Sequence, residues 1–380
     1  MKLRTCMMAR AATFVAFMAV VLPLPAQVQP SLKDSYKRDF AVGAAVNAAQ
    51  ITGSDVRGDA LIEAQFNSIS PENALKWEEV HPLPGKYDFR LSDRYVAFGE
   101  KHHMFIVGHN LVWHNQIPAW VFRDDKGNLL DRDALLARMR DHIHTVVGRY
   151  KGRIKSWDVV NEALNEDGSL RQSLWLKIIG EDYIAKAFEY AHAADSQAQL
   201  TYNDYNLENE AKRKGAIVLI EKLKAEGVPV TSVGLQGHIS LTSPPVERVD
   251  AAISAFAALG MKVAISELDV NVLPSVGDQT TAEVTLKVRQ DAKLNPYVTG
   301  LPDSVQQELA KRYADLFRVY LKHRGVVTRV TFWGVTDGDS WLNNWPVQGR
   351  TNYPLLFDRN GDTKPAFSAV IHVASEASSH

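Results

Sequence analysis

Ser156-Trp157-Asp158-Val159-Val160-Asn161-Glu162-Ala163 and, further along, Ile265-Ser266-Glu267-Leu268-Asp269-Val270 decide how this chain is read. Each sets a glutamate just after a short β-branched run, where a buried strand would end. A buried carboxylate is costly unless its charge or proton is put to use. Two of them, brought by separate strands to one face of a barrel, make the minimal pair for cleaving a glycosidic bond. Two ion-paired, purely structural glutamates satisfy the same spacing, and at this stage both readings stand.

Outward from these runs, strand-like segments recur at 40–45, 66–70, 104–108, 154–160, 200–203, 233–236, 263–267 and 330–334. Amphipathic helical patterns lie between them, clearest over 132–150, 181–193, 208–225, 246–259 and 303–322. Eight strand–helix alternations predict an α/β fold of the (β/α)8 or TIM-barrel class, as a single catalytic domain over residues 27–380. An open doubly wound sheet is the alternative. The lack of a Gly-rich phosphate turn after the first strand favours the barrel. Barrel chemistry gathers at the C-terminal strand ends, so Glu162 is expected to follow the fourth strand and Glu267 to end the seventh. The segment Leu273–Pro302 reads equally as a substrate-side loop or a surface insertion.

The 380 residues are 46% hydrophobic and 23% charged, with a net charge of -1 and no basic run. That balance argues against nucleic acid or an anionic membrane as partner. The N-terminus differs in kind: Lys2, Arg4 and Arg10 precede the apolar run Ala11–Leu22, followed by Pro23-Leu24-Pro25-Ala26. This is the pattern of a signal peptide over residues 1–26, with cleavage after Ala26. An uncleaved anchor is the rival, but the run is short of the roughly 20 residues a span requires. The expectation is an exported protein, secreted or periplasmic, with no membrane contact after cleavage. Cys6, the one cysteine, lies inside this segment. The mature chain would then rest on its core alone, which is feasible because a chain of this size buries about three quarters of its unfolded surface.

Other residues gather around the two glutamates. Asn161 is placed to hydrogen-bond a sugar hydroxyl, and Asp158 to tune the local charge. Gln236-Gly237-His238 falls where the sixth strand should end; with Asp269, His238 is placed to orient the attacking carboxylate. His109 and His114, with His102 and His103 nearby, raise a metal reading. Neither His-Glu-x-x-His, nor clustered cysteine, nor a calcium loop accompanies them, so no metal and no cofactor is expected. Trp77, Trp113, Trp120, Trp333 and Trp341 fall at or just past strand ends, where flat rings match the C–H faces of pyranoses. Taken singly each reads as core or rim. Their coincidence with Glu72, Asn73, Lys76, His109, Gln116 and Asn161 points to a sugar cleft.

From Ala41 to Phe367 the chain resembles the endo-β-1,4-xylanases of glycoside hydrolase family 10. The resemblance rests on SPENALKWEEVHPLPGKYDF from Ser70, GHNLVWHNQIPAWVF from Gly108, WDVVNEA from Trp157, YNDYNLE from Tyr202, GLQGH from Gly234, ISELDV from Ile265 and FWGVTDGDSWL from Phe332. It implies a (β/α)8 barrel that hydrolyses internal β-1,4-xylosidic bonds by retaining double displacement, with Glu162 as acid/base and Glu267 as nucleophile. Glu72, Asn73, Lys76 and Gln116 match residues that hold sugars on the non-reducing side. His109, Asn161, Gln236, His238 and Trp333 match the shell around the cleaved unit, and Trp113 joins the substrate-binding set. Tyr205 matches an aromatic on the leaving-group side. Trp341 matches a tryptophan that crowds the place of a hexose hydroxymethyl group. Asp269 corresponds to the partner of His238, and Asp158 to a supporting carboxylate. Ser196 departs from a frequent proline, far from the chemistry.

The implied partners are xylan and xylo-oligosaccharides, bound by a monomer through its cleft without an appended binding module. Two rivals stay open: the same mechanism directed at β-1,4-glucan or aryl cellobiosides, and a non-catalytic sugar-binding protein on a retired scaffold.

Overall fold

Among the described residues nine strands, all paired in parallel, run in the order β6-β5-β4-β3-β2-β1-β9-β8-β7, and a further β6–β8 pairing closes the ring. They are β1 (Ala41–Val46), β2 (Ser68–Pro71), β3 (Phe105–Val112), β4 (Ser156–Asn161), β5 (Gln199–Asp204), β6 (Ser232–Leu235), β7 (His238–Ser240), β8 (Lys262–Asn271) and β9 (Val327–Phe332). This computed structural model describes residues 30–276, 288–289 and 291–378, and from Ser31 onward the chain forms one compact unit. The segment 1–26 with Cys6 lies outside the described residues, as does the middle of 273–302.

The eight-stranded ring is the expected (β/α)8 barrel, and its closure excludes the open sheet. Eight longer helices among the described residues alternate with its strands: α1 (Val56–Gln65), α2 (Arg90–Lys101), α3 (Arg132–Arg149), α4 (Tyr183–Ala194), α5 (Glu210–Ala225), α6 (Val246–Ala258), α7 (Asp303–Lys322) and α8 (Pro365–Ser378). The start of α3 shows how local sequence sets them. The Asp131 carboxylate accepts the Ala134 N–H at 2.8 Å, and Leu135, Met139, Ile143 and Val146 then bury one stripe.

Strand residues alternate between two buried environments. Ile69, Trp157, Leu200, Tyr202, Val233, Leu235, Val330 and Phe332 join the hydrophobic core. Their neighbours Ser68, Ser156, Asp158, Thr201, Asn203, Ser232, Arg329 and Thr331 are buried too, but polar. This period of two marks the second set as the barrel interior. Gly108 is required by close approach: a Cβ there would lie 2.1 Å from the Trp157 ring.

Two features depart from the expected strands. β7 is an additional short strand after β6, pairing His238–Ser240 with Asp269–Asn271 of β8. For that reason β8 does not end at Glu267 but continues to Asn271. The ladders also slip beside both glutamates: β4–β5 pairing shifts between Asp158 and Val160, and β8–β9 between Ile265 and Leu268. Such bulges re-aim side chains, which a strict alternation could not do.

The loop after β9 is anchored by a buried ion pair. Lys364 Nζ donates to Asp337 Oδ2 at 2.8 Å and to the carbonyls of Tyr353 and Leu355 at 2.8 and 2.7 Å. Asp337 is fully buried and Lys364 is 4% exposed. Removing one partner strands the other charge, so Lys364→Met is expected to lower unfolding free energy by about 3–5 kcal/mol. A urea unfolding midpoint within error of wild type would contradict this anchoring role.

Candidate active site

Glu162 is the first residue after β4 and takes a left-handed backbone, φ 58°. Its N–H donates to the Asn203 carbonyl at 2.8 Å, and its own carbonyl accepts from Arg171 Nε at 3.0 Å. The carboxyl group accepts from Trp113 Nε1 at 2.8 Å and from Gln236 Nε2 at 3.0 Å. Glu267, on β8, accepts from Asn203 Nδ2 at 2.7 Å and lies 3.2 Å from His238 Nε2. Both glutamates are buried, 6% and 5% exposed.

One residue, Asn203, joins them, through its backbone carbonyl to Glu162 and its side-chain amide to Glu267. Asn203 Nδ2 also donates to Asn161 Oδ1 at 2.8 Å, and Gln236 Nε2 reaches that oxygen at 3.2 Å. Asn203 Oδ1 accepts from Ser266 Oγ at 2.6 Å. Gly234 leaves the necessary room, since a Cβ there would sit 2.1 Å from Asn203 Oδ1.

Around this centre, His238 Nδ1 and Trp341 Nε1 converge on Asp269 Oδ2 at 3.0 and 2.8 Å. Trp341 lies 4.9 Å from the His238 ring and stacks on Trp345 at 4.7 Å. Behind Glu267, His109 Nδ1 pairs with Asp158 Oδ2 at 2.9 Å. On another side Lys76 Nζ donates to Asn73 at 3.0 Å and to Gln116 at 2.6 Å, and sits 5.0 Å from the centre of the Trp113 ring. Glu72 completes that cluster, and Tyr205 takes Arg171 Nη2 on its hydroxyl at 2.9 Å.

A cleft of about 520 Å³ gathers Glu72, Asn73, Lys76, His109, Trp113, Gln116, Asn161, Glu162, Tyr205, Gln236, His238, Glu267, Asp269, Trp333 and Trp341. Asp158 does not line it and stands behind His109. Trp77 and Trp120 belong to the scaffold instead. Trp77, 3% exposed, stacks on His142 at 3.6 Å because the turn Trp77–Val80 rotates it away from Lys76. Trp120 caps His81 and donates to the Pro82 carbonyl. Ser275 brings the start of the Leu273–Pro302 segment to the cleft wall, whereas Asn295 and Tyr297 brace Thr351 and Tyr353.

The two glutamates have opposed proton affinities. Burial pushes Glu162 up to about 7; the Gln236 and Trp113 hydrogen bonds oppose this, while the charges of Asp204 and Glu267 add to it. Burial also raises Glu267, but His109, His238 and the Asn203 amide outweigh it and hold it below the ordinary glutamate value. Burial works against a charge on His238, yet Asp269 and Glu267 push it up to about 10. Near neutral pH the cleft therefore offers one carboxylic acid and one carboxylate, the pairing that acetal cleavage needs. Among the described residues no group of three or more His, Cys, Asp or Glu is arranged to hold a metal ion.

The glycosyl hydrolase family 10 model matches residues 31–373. The chain belongs to glycosyl hydrolase family 10. It is 45% identical over 354 residues to endo-1,4-beta-xylanase A of Xylanibacter ruminicola, covering 93% of this chain and 96% of that one. A GH10 endoxylanase structure from sugarcane soil metagenome superposes with a TM-score of 0.88 at 48% identity, covering 90% of this chain and all of the other. A mutant structure in complex with xylotriose superposes at 0.82 with 37% identity, over 90% of this chain and 99% of that one.

Within this family 10 barrel, Asn203, Ser266, Arg171 and Trp345 contribute to the site, although sequence reasoning gave them no role. Asn203 alone left a signal, as an amide in an inward strand position. Gln236 supplies the first hydrogen bond that opposes the upward push on Glu162. Gln236→Met should therefore move the Glu162 titration above about 7, read by carboxyl carbon NMR. A midpoint unchanged or lowered would sink this account.

Proposed function

We propose that this family 10 chain is an endo-1,4-β-xylanase acting by retaining double displacement. The observation that carries the reading is two buried glutamates facing one cleft and tied through Asn203, Glu162 in surroundings that raise its proton affinity and Glu267 in surroundings that lower it. Glu267, ionised and steered by His238 and Asn203, attacks the anomeric carbon. Glu162, protonated, delivers its proton to the departing glycosidic oxygen. In the second step Glu162, now a base, takes a proton from water, which releases the sugar from Glu267. Asn161 is oriented by two donors on its Oδ1, so its Nδ2 is directed to bond a substrate hydroxyl.

Xylan and xylo-oligosaccharides are the proposed substrates. The cluster of Glu72, Asn73, Lys76 and Gln116 holds the non-reducing side, with His109, Trp113, Gln236 and Trp333 around the cleaved unit and Tyr205 beyond it. Support for pentose selectivity comes from Trp341, which is pinned by its bond to Asp269 and its stack on Trp345 and so is poorly placed to yield to a hydroxymethyl group.

The decisive experiment is reducing-sugar release from glucuronoxylan and carboxymethylcellulose by the chain from Gln27 onward. Release from xylan alone is expected. The value of kcat/KM should fall as pH rises through about 7, where Glu162 loses its proton, and again below the ordinary glutamate range, where Glu267 gains one. Glu267→Ala should lose several orders of magnitude. Comparable release from cellulose would overturn the substrate, and activity surviving in that variant would overturn the mechanism.

Export through cleavage after Ala26 is part of the same reading, supported by the basic, apolar and small-residue order of the N-terminus. N-terminal sequencing of protein produced in a bacterial host should begin at Gln27. An intact Met1 on protein held in the membrane would favour the anchor.

A further inference from the structure

Lys212 is a buried cation that the mechanism above does not use. It lies in the first turn of α5 with no exposure, unusual for a residue type that is almost never fully buried unless paired. Its ammonium is 2.9 Å from Asp204 Oδ1, 3.3 Å from Glu166 Oε1 and 3.3 Å from the centre of the Tyr205 ring. Burial works against its charge, but Asp204, Tyr205 and Glu166 hold its pKa above the ordinary lysine value.

The two carboxylates belong to different loops. Glu166 follows β4 and Glu162, and its other oxygen accepts from Asn206 and Asn209 at 3.3 and 3.2 Å. Asp204 ends β5, and accepts the Tyr205 N–H at 2.9 Å, the Tyr202 hydroxyl at 2.6 Å and the Leu164 N–H at 3.3 Å. Arg171 closes the circuit, donating to the Tyr205 hydroxyl and to the Glu162 carbonyl. Tyr205 thus has a cation against one face and a guanidinium at its edge, and both tie it to the turn that carries Glu162.

We propose that Lys212 is a positioning residue for the leaving-group side of the cleft, seating the Tyr205 ring and locking the loops after β4 and β5 into one wall. The proposal rests on the reading that Tyr205 meets the departing sugar.

The test compares kcat/KM on xylohexaose with kcat/KM on a dinitrophenyl β-xylobioside, whose leaving group needs neither a proton nor a seated sugar. Lys212→Met is measured beside K212M/D204N, which removes both buried charges and keeps the fold accessible, each over a full pH profile so that a shift of the Glu162 limb is separated from a loss of sugar seating. Both variants should lose about tenfold or more on xylohexaose, and several-fold less on the aryl substrate. Lys212→Arg should recover most of the loss. Equal losses on both substrates, or no loss on either, would overturn the proposal. Tyr205→Ala is the control for the underlying reading. If it spares xylohexaose, Tyr205 does not seat the sugar and the proposal falls with it. A wild-type chain inactive on xylohexaose would instead refute the proposed function itself.

Discussion

The primary amide of Asn203 is the contact on which the site depends. A side-chain amide has two N–H bonds to give, and this one gives them to Asn161 and Glu267, while its oxygen accepts from Ser266. Its backbone carbonyl, meanwhile, receives the Glu162 N–H. A single residue on β5 thereby touches the turn of one glutamate and the carboxylate of the other. Little slack is available, because the adjacent strand must carry glycine at 234 for the amide to fit. Polar groups buried this deeply stabilise a structure only when fully bonded, so the network specifies one arrangement and disfavours its neighbours.

The same physics separates the chemistry of two identical side chains. Burial alone would raise both glutamates. Glu162 meets neutral donors and two negative charges, whereas Glu267 meets two imidazoles and an amide. His238 can serve there because Asp269 stands behind it, and Asp269 is itself bonded by Trp341. The Trp341 indole is thus linked to the Glu267 carboxylate through Asp269 and His238. One continuous set of contacts therefore runs from the cleft-lining indole to the buried carboxylate on that side.

Much of this was legible in the sequence for identifiable reasons. A β-branched run ending in glutamate is a strong local signal, and the helical periodicities between such runs were long enough to place α3 to α7 within two residues. β7 was missed because three residues hold too little alternation to register. The extension of β8 past Glu267 followed from that, since its partner is β7. Arg171 and Lys212 act at a distance in sequence from the groups they hold, so neither composition nor spacing marks them. Trp77 and Trp120 lie in motifs beside cleft residues, but side-chain direction depends on the local turn, which sequence position does not reveal.

Backbone conformation shows where the scaffold bears the cost of the site. Gln116, Glu162 and Asn206 adopt φ values of 46, 58 and 53°, in the left-handed region that side chains rarely enter. Each such residue costs on the order of 1 kcal/mol or more and persists only where surrounding bonds over-determine it. Here they do: the Gln116 carbonyl accepts the Glu78 N–H, the Glu162 carbonyl accepts Arg171, and the Asn206 carbonyl accepts the Asn209 N–H. All three residues line the cleft. A relaxed turn at Glu162 would aim its carboxyl away from Gln236 and Trp113 and out of the buried position that raises its proton affinity. The strain is therefore best understood as a consequence of aiming, held in place by loops that the chemistry itself never touches.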